Sequence, residues 1–100
     1  MTKTELTKVM KTCLAGFDFK AVHEAMKALN WEWMQEDGLR VPTPKEMEKN
    51  AKVLFNDAYE NYKTEGEGYT ASGGFEVQID DAGAVLRFVV EDIEVEVKHD

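Results

Sequence analysis

Apolar residues recur at steps of three and four through the first two-thirds of the chain and at steps of two through the last third. Leu6, Val9, Met10, Cys13 and Leu14, with Phe17 just beyond, lie on one stripe and predict a first helix that Thr2 or Thr4 can cap. Lys3, Glu5, Thr7, Lys8 and Lys11 fall on the wet side, and Gly16 is a natural stop. Asp18 can cap a second helix over 19–30, with Phe19, Val22, Met26 and Leu29 as its stripe. In "NWEWMQEDGLRVP", Trp31 and Trp33 share a face if the segment is extended, which predicts a short strand at 31–34 and a turn at Glu36–Gly38. "TPKE" is a helix start: Thr43 at the N-cap, Pro44 at N1 and Glu46 at N3 make a capping box. The helix it opens runs over 44–64, with Met47, Ala51, Leu54, Phe55, Ala58 and Tyr62 on its inner stripe. "TEGEG" ends it.

The period then changes to two. Phe75, Val77 and Ile79 alternate with Glu76, Gln78 and Asp80, and "DDAG" is turn chemistry. Ala84, Leu86, Phe88 and Val90 face one way and Val85, Arg87 and Val89 the other. After Val90 the parity flips to Ile93, Val95 and Val97, so no unbroken strand can hold both sets on one face. A bulge or break is predicted near Glu91–Asp92. These elements predict one α+β domain over 1–100 in the order α-α-β-α-β-β, its long helix packed on a small antiparallel sheet of three strands. The helix within 1–17 and the tail 93–100 are candidates for accessory or oligomerising segments, because a core of this size need not hold both.

Composition narrows the chemistry. The net charge of −8 is concentrated at one end: residues 1–30 carry +2, residues 31–65 carry −3 and residues 66–100 carry −7. An acidic pole argues against direct nucleic-acid binding, which needs several phosphate-neutralising cations, and permits attraction to a basic protein surface. No apolar run approaches the roughly 20 residues that span a bilayer. The single cysteine, Cys13, excludes an internal disulfide and lies in an apolar stripe, where it reads as a small buried hydrophobe. A reducing cytoplasm is the expected location. His23 stands alone at the edge of a helix face, and no set of residues has metal-ligand spacing, so neither metal nor cofactor is expected. There is no Ser-His-Asp set, no HExxH and no paired-cysteine motif, and the expected protein is not an enzyme.

Two groups of residues remain as candidate sites. "YTASGGFEV" sets Thr70, Ser72, Gly73 and Gly74 ahead of a strand. Either the glycine pair turns the chain or the loop cradles an anion with its N–H groups and hydroxyls, although it leads into no helix N-terminus. With Trp31, Trp33 and the only two arginines, Arg40 and Arg87, it would form a pocket for a small anionic nucleotide. The second group is Asp92, Glu94 and Glu96, carboxylates spaced about 6.7 Å apart if they share one strand face. They either occupy a basic groove of a partner or only protect a strand edge from aggregation.

"ALNWEW", "GLRVPTPKEM", "SGGFEV" and "LRFVVED", in that order over 21–92, resemble a recurrent type of small phage-encoded accessory protein. The resemblance implies host takeover or counter-defence rather than a particular reaction, and makes the expected location the host bacterial cytoplasm. The expected function is therefore that of an inhibitor which binds and neutralises a bacterial host or defence protein through an acidic surface. Sequestration of a small anionic nucleotide signal, and a structural or regulatory homo-oligomer without ligand, are the alternatives.

Overall fold

The computed structural model describes residues 2–29, 41–90 and 93–99. Within them the chain forms α1 (Lys3–Gly16), α2 (Phe19–Leu29), α3 (Pro44–Glu65), β1 (Gly68–Ser72), β2 (Phe75–Asp80), β3 (Gly83–Val90) and β4 (Ile93–His99). The strand expected at 31–34 and the turn after it fall outside the described residues, as do Arg40 and Asp92.

Each helix begins where a side chain satisfies a free backbone N–H. Thr2 Oγ1 accepts from Glu5 N at 3.1 Å, and Asp18 Oδ1 accepts from Ala21 N at 2.9 Å. The predicted capping box on α3 is complete, with Glu46 N donating to Thr43 Oγ1 and Thr43 N donating to Glu46 Oε1, both at 3.2 Å. Such a cap contributes about 1 kcal/mol. Gly66 closes α3 in the left-handed region, its N–H bonded to Tyr62 O at 2.9 Å.

The strands make an antiparallel meander in the order β1-β2-β3-β4. This is the α+β arrangement that the pattern predicts, a long helix on an antiparallel sheet, but two of the four described strands, β1 and β4, were not expected as separate strands. β1 pairs with β2 from Gly68 opposite Ile79 to Ser72 opposite Phe75, and β4 is a separate strand where a bulge or break in one strand was expected. The parity flip also has its explanation. β3 and β4 pair antiparallel with Val90 opposite Ile93, so the chain reverses there. Phe88 then faces Val95 and Leu86 faces Val97, and both sets share one face because directly paired residues do.

All described helices pack on that face. α3 lies over β1 and β2, and α1 lies over β3 and β4. Leu6, Val9, Cys13 and Leu14 of α1 join Phe55 and Met47 of α3 and Val77, Ile79, Leu86 and Phe88 of the sheet in one core. The first helix is thus built into the core rather than appended to it. Phe17 and Phe19, at the α1–α2 junction, lock onto Phe75 with ring centroids 5.8 and 6.0 Å away, and Phe75 packs at a tilt against Phe88 at 4.8 Å. Burial pushes the Cys13 thiol up to about 11, which leaves it an inert apolar filler. His23 Nδ1 donates to Pro42 O at 2.7 Å, a structural tie between α2 and the segment before α3.

Candidate functional site

The glycine loop is a two-residue hairpin turn between β1 and β2. Gly73 and Gly74 have φ of +60° and +89°, the paired positive values of a type I′ turn. A Cβ on Gly74 would lie 2.6 Å from Val90 Cγ2 and 2.9 Å from Phe88 Cε2, so the glycine also lets the turn seat against β3. Gly74 O accepts from Val89 N at 2.9 Å, which extends the β2–β3 ladder into the turn. These contacts supply the reason for the glycine pair that a phosphate cradle would otherwise have to supply.

The hydroxyls beside it are placed differently from a cradle. Thr70 Oγ1 donates to Leu54 O, in the middle of α3, at 2.8 Å. Thr70 and Ser72 pair with Val77 and Phe75, whose side chains are buried beneath the helices, so both belong to the helix-facing side of β1. Arg87 pairs with Glu76 and Glu96 on the opposite side. The sheet itself therefore separates Thr70 from Arg87, and no single pocket gathers them. Trp31, Trp33 and Arg40 lie outside the described residues.

What the fold does assemble is an open sheet face. Among the described residues no helix covers the side of the sheet that carries Tyr69, Glu76, Gln78, Val85, Arg87, Val89, Glu94, Glu96 and Lys98. Tyr69 and Val89 are 56% and 39% exposed there, and every other described phenylalanine and tyrosine side chain is buried. Arg87 sits in the middle strand between two carboxylates. Its Nε and Nη2 donate to Glu96 Oε2 at 2.8 and 2.5 Å, and its Nη1 is 3.5 Å from Glu76 Oε2. Its guanidinium is thus occupied by the protein's own acids, and the face keeps a negative surplus. Glu94 is exposed, and Lys98 Nζ is 3.5 Å from Glu96 Oε1.

The ionisation of the face follows from these contacts. The Arg87 hydrogen bond, and then the charges of Arg87 and Lys98, hold the Glu96 carboxyl below its ordinary value, against the opposing effect of desolvation. The same pair holds the Arg87 guanidinium above its ordinary value. Partial desolvation, then a hydrogen bond with Glu76, raises Tyr69. A depressed carboxyl contributes stability that is present above its unfolded value, about 4.3, and disappears as pH falls through the lower folded value. Glu96→Gln should accordingly reduce the loss of stability below about pH 4. Urea midpoints measured from neutral to acid pH check this, and identical acid slopes in both proteins would remove Glu96 from the acid response.

Among the described residues, no group of three or more histidine, cysteine or acidic side chains could hold a metal ion. No described helix is long and apolar enough to cross a membrane. A shallow groove where α3 ends, lined by Asn61, Glu65, Glu67, Tyr69 and Gln78, presents carboxylates beside a helix C-terminus, an arrangement that repels anions. No protein-family model, curated protein or solved structure matches this chain. The site is therefore read from its own geometry.

Of the acidic row expected from the sequence, Glu94 and Glu96 do lie on one strand face. The pattern missed the members that other strands supply. Tyr69 comes from the unexpected β1, and Glu76 reaches Arg87 only through the β2–β3 register. Alternation of Glu76 and Arg87 with apolar neighbours does put both on the polar side of their strands. It does not say that they meet.

Proposed function

We propose that this chain is a non-enzymatic binding protein that lays the bare face of its sheet against a basic surface of another protein. The observation that carries the reading is that face: exposed Tyr69 and Val89 amid Glu76, Glu94 and Glu96, with Arg87 already neutralised. Apolar area supplies contact energy, and the surrounding carboxylates select a cationic partner and speed its approach. The resemblance to small phage accessory proteins makes a bacterial host or defence component the target, and neutralisation of it the outcome.

The test is capture from a bacterial lysate by the wild-type chain and by two face variants, Tyr69→Ala and Glu94→Lys, with Val53→Ser as control. Val53 is 52% exposed on α3, away from the sheet face. The expected result is a basic protein retained by the wild type and by Val53→Ser, released by salt and lost with both face variants. Capture that ignores the face variants would overturn the reading. An absorbance ratio showing nucleotide bound to the purified protein would replace it with the sequestration alternative.

A further inference from the structure

Among the described residues, the outer edge of β4 has no strand paired to it. Its seven residues, Ile93–His99, pair with β3 and with no other described strand. The two-residue connection between Val90 and Ile93 makes them a hydrogen-bonded pair, and the ladder then alternates. Ile93, Val95 and Val97 consequently turn their backbone groups toward β3. Glu94, Glu96 and Lys98 turn theirs outward, unpaired within the described sheet. On the helix side, Ile93, Val95 and Val97 pack against the core but remain partly exposed, so their outer flank is left for another surface.

Charges on an edge strand ordinarily prevent such pairing. Here their order is self-complementary. In an antiparallel pair about a two-fold axis, the register that overlaps the whole of β4 centres on Glu96. It sets Glu94 of each copy opposite Lys98 of the other, twice, on the open face, and Val95 opposite Val97, twice, on the helix side. Glu96 meets its own copy on the axis, where each carboxylate is already held by its own Arg87 at 2.5 Å. Sliding by one pair toward the start of β4 opposes Glu94 to Glu96, two like charges. Sliding the other way shortens the overlap and removes Glu94 from it. We infer that β4 joins a second copy of this chain in the Glu96-centred antiparallel register, making one continuous eight-stranded sheet from two four-stranded ones. Because that two-fold axis stands perpendicular to the sheet, the two open faces would lie side by side on the same side of the assembly.

The register is tested with single-cysteine variants and a charge swap, using the full chain. Cys13 is buried, so the wild type is the control for background cross-linking. Under mild oxidation Glu96→Cys should form a disulfide-linked dimer, since directly opposed strand residues lie within disulfide reach, while Val95→Cys and Val97→Cys should not link to themselves. In light scattering at tens of micromolar the wild type should have the dimer mass. Lys98→Glu should have the monomer mass with unchanged circular dichroism, and Glu94→Lys combined with Lys98→Glu should recover the dimer. A monomeric wild type, a dimer indifferent to Lys98→Glu, or self-linking at Val95→Cys or Val97→Cys in place of Glu96→Cys would each overturn the inference.

Discussion

Gly68→Ala should destabilise the protein by about 3 kcal/mol or more, a large share of the 5–15 kcal/mol that holds a typical domain together. Gly68 begins β1 and faces the C-terminal half of α3. A Cβ built on it would stand 1.8 Å from Ala58 O, 2.8 Å from Ala58 C and 3.0 Å from Tyr62 N. Ala58 O and Tyr62 N are the two ends of one i,i+4 position of the helix, so the methyl would sit on the helix's own hydrogen bond. A side chain can swing away from an added methyl, but a helix backbone cannot. Relief therefore requires β1 to move off α3. That movement would break the Thr70 hydrogen bond to Leu54 O and open the core along Phe55 and Val77. Urea denaturation followed by circular dichroism measures the loss. A change under about 1 kcal/mol would mean that β1 is not seated on the helix as described.

The second large effect is expected at the hairpin turn, where adjacent glycines should behave differently. Gly74→Ala combines a left-handed φ of +89° with contacts at 2.6 and 2.9 Å to Val90 and Phe88. The strain costs about 1–2 kcal/mol and the overpacking about 1–3 kcal/mol. Gly73 has the same sign of φ, but its nearest foreign atom is Asn50 Nδ2, at 3.9 Å. Asparagine tolerates the left-handed region, and Asn-Gly is the favoured pair for this turn, so Gly73→Asn should be nearly neutral. Equal losses at the two positions in thermal or urea unfolding would count against the turn's seating on β3. Retained partner binding in the folded fraction of Gly74→Ala is expected as well, because the turn's glycines serve the fold and not the open face.

These two predictions mark the boundary between what was legible in the sequence and what was not. Helix and hairpin elements follow from local rules. The stripe of α3 and its Thr43–Glu46 box lie within neighbouring turns of one helix, and the Gly73-Gly74 pair meets the backbone demand of one turn. The switch from even to odd apolar positions after Val90 likewise shows that one regular strand cannot continue there, but only the pairing of β3 with β4 makes the interruption a chain reversal instead of a bulge. β1 escaped because its inner positions are Gly68, Thr70 and Ser72. They carry no apolar period: Gly68 lies so close to α3 that there is no room for a side chain, Thr70 gives its hydroxyl to Leu54 O, and Ser72 is exposed. That closeness is a property of the packing and leaves no repeat to read. The site divides in the same way. Alternation alone put Glu94 and Glu96 on one strand face and Arg87 opposite Leu86 and Phe88. Only the pairing of three strands placed Arg87 between Glu76 and Glu96, set Tyr69 beside them, and put Thr70 on the far side of the sheet. Which strands lie side by side, and which face the helices leave open, is decided by where the largest apolar surface can be buried at once, and no single segment contains that information.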